Sequence, residues 1–273
     1  MSGYEKPNDF SYFNSSTYQN YTNCYTYALD VWKNPVTGNK FRYKGCDPGE
    51  LSGNPITQAD LIDASTARNA IVTAVSNDCI AWGGASNDFY EVDEDEMVPE
   101  GYYKVALVLY PGWDYHWYRH VSDLNGKWAH KPGVTPAKEL DSSGEYIYAP
   151  YDADWGNYTV FLGYFALKPP SAYSTKMDIS DSTAELFATT ENVRNLYPVK
   201  TDITLSDFNT FIAGETTEEE ILSVVGASHD VYGSGYIGER YYTADGFDII
   251  VYYCNGIVDQ IRCLNADGTY TVL

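Results

Sequence analysis

Three Asp-Gly or Asn-Gly dipeptides near the C-terminus constrain the fold of this chain more than any other feature. They are Asp245-Gly246, Asn255-Gly256 and Asp267-Gly268, and runs rich in aromatic and β-branched residues lie between them. Such dipeptides favour two-residue turns, whose backbone twist matches that of the strands they join. The pattern therefore predicts a four-stranded antiparallel sheet, with strands at about 230–243, 247–254, 257–264 and 269–273.

Two helices are predicted in front of this sheet. The first covers about 205–212. The second covers about 218–225, because Thr217 and Glu220 form the pattern of a capping box and Gly226 follows the last apolar residue. Two helices followed by hairpins indicate a small α+β module.

The N-terminal part of the chain also has an α+β pattern. We expect an irregular arm at 1–21, a helix that begins at Cys24 after the N-cap candidates Thr22 and Asn23, and a second helix at about 58–76. Strands follow in a meander, at about 102–110, 115–121, 127–131, 145–148 and 159–167. The predicted fold class is therefore α+β, with a helix in front of an antiparallel sheet.

A polar stretch separates the two parts. It starts at Pro169-Pro170, where the hydrophobic periodicity of the last strand stops, and one short helical segment is expected in it at about 184–196. We therefore predict a domain at 1–168, a linker at 169–204 and a second domain at 205–273, each domain with its own core.

The chain is strongly acidic, and this excludes several classes of partner. Its 38 Asp and Glu residues against 17 Lys and Arg give a formal net charge of -21. A surface of this sign repels phosphate backbones and anionic lipids, so we expect no nucleic-acid partner. No segment reaches the roughly 20 apolar residues that a membrane span needs, so we expect no membrane insertion. The acidic run at 91–96 is interpreted as a solvated loop.

The start of the chain has no basic segment followed by an apolar one, so no signal peptide is expected on this form. The compartment stays open. It is the cell envelope or the exterior if a leader has been removed, and the cytoplasm otherwise.

The five cysteines include no CxxC or CxxH pair, so neither a structural zinc site nor another metal or cofactor is expected. The turn at Asn255-Gly256 would place Cys254 opposite Ile257 and Cys263 opposite Asp248. The two sulfurs would then lie too far apart for a disulfide.

Cys24 is the candidate nucleophile. A thiol at the start of a helix lies near unpaired N–H groups and the positive end of the helix dipole, and both favour the thiolate. A nearby imidazole would accept the thiol proton, and a third polar group would fix the tautomer of that ring. Three of the four histidines fall within one predicted hairpin, namely His116, His120 and His130.

Two assignments of the base remain open. Either His116 is the base and His130 orients it, or His130 is the base and Asp154, less favourably Asp152, completes the site. The register of the hairpin matters here, because a shift of one residue moves every side chain of a strand to the other face.

The length of the hairpin loop sets that register. A two-residue loop at Asn125-Gly126 would pair His130 with Val121, on the face opposite to His116. A three-residue loop would pair His130 with His120, on the same face as His116. The sequence does not choose between them.

Three features of the N-terminal part occur together. They are the segment Asn23-Cys24-Tyr-Thr-Tyr-Ala-Leu, an apolar strand at 105–110, and a hairpin with histidines at 114–130. Together they resemble the NlpC-type cell-wall peptidases, which have a papain-like fold, over roughly residues 20–135. That family usually has Asp before the cysteine and Ser-Gly after it. This chain has Asn and Tyr25-Thr26 there, which indicates a divergent branch.

The resemblance implies roles for particular residues. It implies that Cys24 is the nucleophile, that His116 is the base and that His130 orients the base. The more general papain-like order implies instead a site made of Cys24, His130 and Asp154.

The C-terminal part has small residues and turns at fixed offsets, in 211–217, 221–226, 238–242 and at Asn255-Gly256. This pattern is similar to that of β-lactamase-inhibitor-like and SmpA-like modules, over about 205–273. The resemblance implies a helix–loop–helix packed on a four-stranded antiparallel sheet, and a role in binding a protein or the cell envelope.

These resemblances imply a cysteine hydrolase that cleaves an amide bond through an acyl-enzyme in bacterial cell-wall stem peptides. A peptide or peptidoglycan fragment would be the substrate. The alternative is a catalytically inactive papain-like binding protein that recruits a protein or envelope partner through its C-terminal module. A third interpretation is transfer of the acyl group to an amine rather than to water.

Overall fold

The chain is α+β, with two antiparallel sheets of five strands each, in a computed structural model that describes residues 10–121, 126–170 and 196–273. The first sheet has the strand order β1-β5-β2-β3-β4. Its strands are β1 (Phe89–Val92), β2 (Tyr103–Tyr110), β3 (Asp114–His120), β4 (Trp128–His130) and β5 (Val160–Leu167).

Two helices accompany the first sheet. Helix α1 (Cys24–Ala28) begins at the predicted residue, because the Asn23 side chain accepts the Thr26 N–H and the Thr26 hydroxyl accepts the Asn23 N–H. Helix α2 (Ala64–Ala81) starts and ends later than the predicted 58–76, and a short 3-10 helix at Gln58–Leu61 occupies the start of the predicted range.

The second sheet follows helices α3 (Leu205–Phe208) and α4 (Glu218–Val225), and Gly226 lies just after α4 as predicted. Its strand order is β10-β9-β8-β7-β6. The strands are β6 (Asp230–Tyr232), β7 (Gly238–Tyr242), β8 (Asp248–Cys254), β9 (Ile257–Leu264) and β10 (Tyr270–Val272). The predicted strand at 230–243 is two strands, so the sheet has five strands and not four.

The predicted register of the β8–β9 hairpin is correct next to the turn at 255–256. Cys254 pairs with Ile257 as predicted, but Cys263 pairs with Ile249 and not with Asp248. The difference arises because the pairing shifts by one residue between Tyr252 and Tyr253.

The first sheet differs from the prediction at two places. The predicted strand at 145–148 forms only an isolated bridge between Tyr146 and Leu140. In contrast, β1 includes Glu91 and Val92, which the acidic run had placed in a loop, because this segment pairs with β5 along the sheet edge.

The loop between β3 and β4 is longer than either predicted form. The Val121 N–H donates to the Lys127 carbonyl at 3.0 Å, so five residues separate these two positions. His130 consequently pairs with Tyr118 and not with Val121 or His120. Since Tyr118 and His116 are two residues apart on one strand, His130 lies on the face of His116.

The apolar cores only partly follow the predicted domains. One core lies between α3, α4 and the second sheet, with Phe208, Ile221 and Val251 among its members. The largest core lies between α1, α2 and the first sheet, and it also includes Tyr236 and Ile250 of the second part. The second part therefore has a core of its own, and some of its residues also belong to the largest core.

Most of the predicted linker at 169–204, with nearly all of the helical segment at 184–196, lies outside the described residues. The domain boundaries at 168 and 205 stay a prediction. Across residues 10–121, 126–170 and 196–273, no helix combines the length and the apolar content needed to cross a bilayer.

Candidate active site

Two histidine rings lie in direct contact on one face of the first sheet. His116 is on β3 and His130 is on β4. The distance between His116 Nε2 and His130 Nδ1 is 2.7 Å, and the two ring planes are nearly perpendicular at 80°. The five-residue loop brings the rings together, because it puts His130 opposite Tyr118.

The hydrogen bonds fix the proton on each ring. The Leu140 carbonyl can only accept, so His130 Nε2, at 2.9 Å from it, carries a proton. His130 Nδ1 is then the acceptor, and His116 Nε2 donates to it. His116 Nδ1 is left with a lone pair. The Ser234 hydroxyl donates to this nitrogen, at 2.5 Å.

This assignment requires both rings to be neutral at pH 7, and burial makes them so. Burial lowers the pKa of His130 from 6.5 to about 4, against the opposing effect of its bond to the Leu140 carbonyl. Burial also holds the pKa of His116 well below its usual value, with smaller contributions from the nearby charges of His130 and Lys138.

Ser234 comes from the second part of the chain, in the loop between β6 and β7. Asp114, two residues before His116 on β3, holds this loop: its carboxylate accepts the N–H groups of Ser234 at 2.6 Å, Gly235 at 3.0 Å and Tyr236 at 2.7 Å. One carboxylate therefore fixes the serine relative to the strand that carries His116.

Gly235 lets the loop approach β3 closely. A Cβ atom at this position would lie 2.5 Å from both the carbonyl oxygen and a ring carbon of Tyr115. Only glycine fits there without a shift of the loop or the strand. The position of Ser234 therefore depends on packing as well as on hydrogen bonds.

Cys24 lies behind Ser234 and is fully buried. Its sulfur is within hydrogen-bond reach of the Ser234 hydroxyl and the Trp117 N–H. In the described ranges, no hydrogen bond joins this sulfur to either histidine ring. The three residues Cys24, His116 and His130 thus lie in one region, where the Ser234 hydroxyl contacts His116.

The pKa of the Cys24 thiol moves in the direction opposite to the expected one. Burial raises it well above its usual value, and the negative charge of Asp114 raises it further. The start of a five-residue helix does not outweigh this loss of solvation. The expectation of a thiolate at rest was therefore wrong.

The alternative site of Cys24, His130 and Asp154 is not formed. Asp154 and Asp152 are exposed, and Asp154 accepts the Gly156 N–H at 2.9 Å. Both ring nitrogens of His130 are already bonded, to His116 and to Leu140. The Leu140 carbonyl thus binds His130 in the way that the sequence had predicted for the Asp154 carboxylate.

A cleft of about 340 Å³ opens over the two rings. Its lining includes both histidines, Ser234, Lys138 and aromatic side chains such as Trp155 and Tyr158, but not Cys24. Among the residues that the structure describes, the Lys138 ammonium has no hydrogen bond or ion pair. A larger cavity of about 430 Å³ elsewhere has no histidine in its lining.

Sequence reasoning missed Ser234 and the Leu140 carbonyl. A signal for Ser234 was present, because Gly233-Ser234-Gly235 interrupts what was interpreted as one strand. The Leu140 carbonyl carries no side-chain signal. In the described part of the chain, no group of three or more His, Cys, Asp or Glu side chains could hold a metal ion.

Comparison with known proteins finds no matching family model and no matching solved structure. One curated protein, insoluble matrix shell protein 1 from Ruditapes philippinarum, is 31% identical to this chain over 161 residues. The match covers 58% of this chain and 86% of the shell protein. With this identity across most of the shell protein, the chain belongs to the same family as insoluble matrix shell protein 1.

Proposed function

We propose that the chain is a hydrolase that cleaves an acyl bond, such as an amide, through an acyl-enzyme, with His116 as the base. One observation carries the proposal: the chain of hydrogen bonds leaves His116 Nδ1 as an acceptor that faces a hydroxyl and, behind it, a thiol. His130 and the Leu140 carbonyl hold the ring in this tautomer.

The imidazole pair suits proton transfer. When His116 takes a proton from a nucleophile, its Nε2–H still donates to His130 Nδ1, and His130 still donates to the Leu140 carbonyl. The new positive charge is therefore stabilised by two aligned acceptors. A base positioned in this way contributes about 10²–10⁴-fold to a rate.

The proposed papain-like identity rests on the resemblance to NlpC-type peptidases. The order Cys24, His116, His130 along α1, β3 and β4 supports it, and so does the contact between the two rings. The substrate proposed on this basis is a peptide or peptidoglycan fragment. A protein or envelope partner of the C-terminal part is proposed on the same kind of resemblance.

The test is an assay of the purified chain against peptidoglycan stem-peptide fragments, simple amides and simple esters. We expect turnover of at least one class, and a loss of about 10²-fold or more in His116→Ala. His229→Ala is the matched control, because this histidine lies outside the cleft and its Nδ1 accepts only the Tyr242 N–H in the described bonds. Equal activity of the two variants would contradict the proposal.

A second candidate is a catalytically inactive protein that binds an insoluble polymer. The full burial of Cys24 favours it, and so does the family relative, whose name places it in an insoluble shell matrix. It predicts that the chain sediments with cell-wall sacculi, that no substrate is turned over, and that His116→Ala binds the polymer as the unchanged chain does.

A further inference from the structure

We propose that the Ser234 hydroxyl, and not the Cys24 thiol, is the nucleophile that His116 activates, an inference that rests on the proposed hydrolase activity. It assigns a catalytic role to a residue of the loop between β6 and β7, which the resemblance to thiol peptidases does not include.

Contact with the base is the first argument. The pair of rings has one nitrogen that can accept a proton from a nucleophile, His116 Nδ1, and the Ser234 oxygen is 2.5 Å from it. A nucleophile must lie within hydrogen-bond reach of its base, and Ser234 does so. In the described residues, no hydrogen bond joins the Cys24 sulfur to this nitrogen.

Access from the cleft is the second argument. Ser234 is 7% exposed and lines the cleft, whereas Cys24 is 0% exposed and does not. A substrate carbonyl that enters the cleft therefore meets the serine oxygen first. For the sulfur to react instead, some part of the structure around it would have to move, because Cys24 is 0% exposed.

The loop that carries Ser234 is not built for displacement. Asp114 accepts three of its N–H groups, and the Asn23 amide donates to the Gly235 carbonyl at 3.3 Å. Tyr236 is buried in the largest core, and its hydroxyl donates to Asp259 at 2.8 Å. Because these contacts hold the loop from both sides, Ser234 is a fixed part of the site and not a removable cover.

Cys24 has a positioning role in this arrangement. Burial keeps its thiol protonated and therefore a weak nucleophile, and the thiol lies near the Ser234 hydroxyl, whose O–H donates to His116. The serine then has one orientation of its hydroxyl. Loss of the thiol should weaken this orientation without removing the nucleophile.

The reaction balances with water as the only co-substrate. The Ser234 oxygen attacks the carbonyl carbon of an ester or amide, and its proton passes to His116 Nδ1. The bond to the leaving alcohol or amine breaks, and that group takes the proton from His116. Water then attacks the acyl-serine and gives a proton to His116. The bond between the acyl carbon and the serine oxygen breaks, and the serine oxygen takes the proton from His116. The Lys138 ammonium in the cleft is free to stabilise the negative oxygen.

The experiment combines two probes on the full chain. A fluorophosphonate, which reacts with activated serines, and iodoacetamide, which reacts with thiols, are each followed by peptide mass spectrometry. We expect a phosphonate adduct on Ser234 that is absent in Ser234→Ala and in His116→Ala, with a loss of turnover of about 10³-fold. Cys24→Ala should keep the adduct and lose at most about tenfold in turnover.

Two further variants make the result decisive. Ser223 is exposed, lies outside the cleft and donates its hydroxyl proton to the Glu220 carbonyl, so Ser223→Ala should label and turn over as the unchanged chain does. Ser234→Cys should label with iodoacetamide at position 234, which shows that the site is folded and open there.

The outcomes separate this inference from the proposed function. Turnover that is lost in Cys24→Ala and kept in Ser234→Ala, with iodoacetamide on Cys24, would overturn the serine assignment and leave the hydrolase standing. Absence of both turnover and any adduct in the unchanged chain would overturn both.

Discussion

Two hairpins of this chain contain the same Asn-Gly dipeptide and use it differently. In the β8–β9 hairpin, Asn255 and Gly256 have φ values of 51° and 77°, and they alone form the turn between the paired residues Cys254 and Ile257. In the β3–β4 hairpin, five residues separate the bonded positions Val121 and Lys127. The turn determines the register of the β8–β9 hairpin, whereas the pairing of the strands determines the register of the β3–β4 hairpin.

The difference matters because the β3–β4 hairpin carries the histidines. A two-residue turn there would have placed His130 on the face away from His116, and the rings could not meet. The longer connection gives the pairing of His130 with Tyr118. The dipeptide alone therefore predicts the pairing next to the β8–β9 turn correctly and the pairing of β3 with β4 wrongly.

Among the substitutions that compare the two hairpins, removal of the β4 imidazole should produce the largest effect. His130→Ala takes away the acceptor that fixes the tautomer of His116, so we expect kcat to fall by about 10²-fold with little change in KM. Asp154→Ala is the matched control and should stay within about twofold. The steady-state kinetics of both variants check this, and a larger loss in Asp154→Ala would restore the site of Cys24, His130 and Asp154.

The stability of the folded chain should also depend on pH, through His130 of the β3–β4 hairpin. The pKa of His130 is 6.5 in the unfolded chain, and burial lowers it to about 4 in the folded chain. Between these pH values the unfolded chain therefore binds more protons than the folded chain. The free energy of unfolding should therefore fall as the pH falls through this window. In His130→Gln the fall should be smaller, by at most about 3 kcal/mol. Urea unfolding at several pH values measures it, and identical slopes in the two proteins would refute it.

A substitution in the loop that meets the β3–β4 hairpin should have an intermediate effect. In Gly235→Ala the new Cβ atom would meet Tyr115 at 2.5 Å, so the loop must move. We expect a loss of about 1–3 kcal/mol in unfolding free energy, together with loss of phosphonate labelling at Ser234. Unchanged labelling would show that the contact between loop and strand does not position the serine.

The smallest expected effect compares the two Asn-Gly glycines directly. Gly126 and Gly256 both have a φ of 77°, and a Cβ atom would meet nothing within 4 Å at Gly256 and only His120 Nε2, at 3.9 Å, at Gly126. Alanine at either site should therefore cost about 1 kcal/mol, from backbone strain alone. Thermal unfolding of the two variants measures this. A much larger loss at one site would show that its hairpin needs the turn and the other does not.

The sequence predicted those features that a few adjacent residues determine. The start of α1 follows from Asn23 and Thr26, α4 follows from the capping box at Thr217, and the β8–β9 turn follows from Asn255-Gly256. Each depends on hydrogen bonds or φ angles within about four residues, which a local pattern records.

The site depends on contacts between distant residues, so only part of it could be predicted from the sequence. The order and rough spacing of Cys24, His116 and His130 indicated that they belong together. The serine between them lies 118 residues after His116, and the acceptor for His130 is a backbone carbonyl. The burial that raises the pKa of Cys24 is likewise a property of the packed core, which a helix start cannot reveal.

The hydroxyl contact of His116 also sets an order of events during translation. The ribosome adds about 5–20 residues per second, so Ser234 is made several seconds or more after the base that it faces. Until then the nascent chain carries two imidazoles without their hydroxyl. Because Asp114 can bind the loop only after residues 234–236 have been synthesised, the contact between Ser234 and His116 forms only after the whole first sheet has been made.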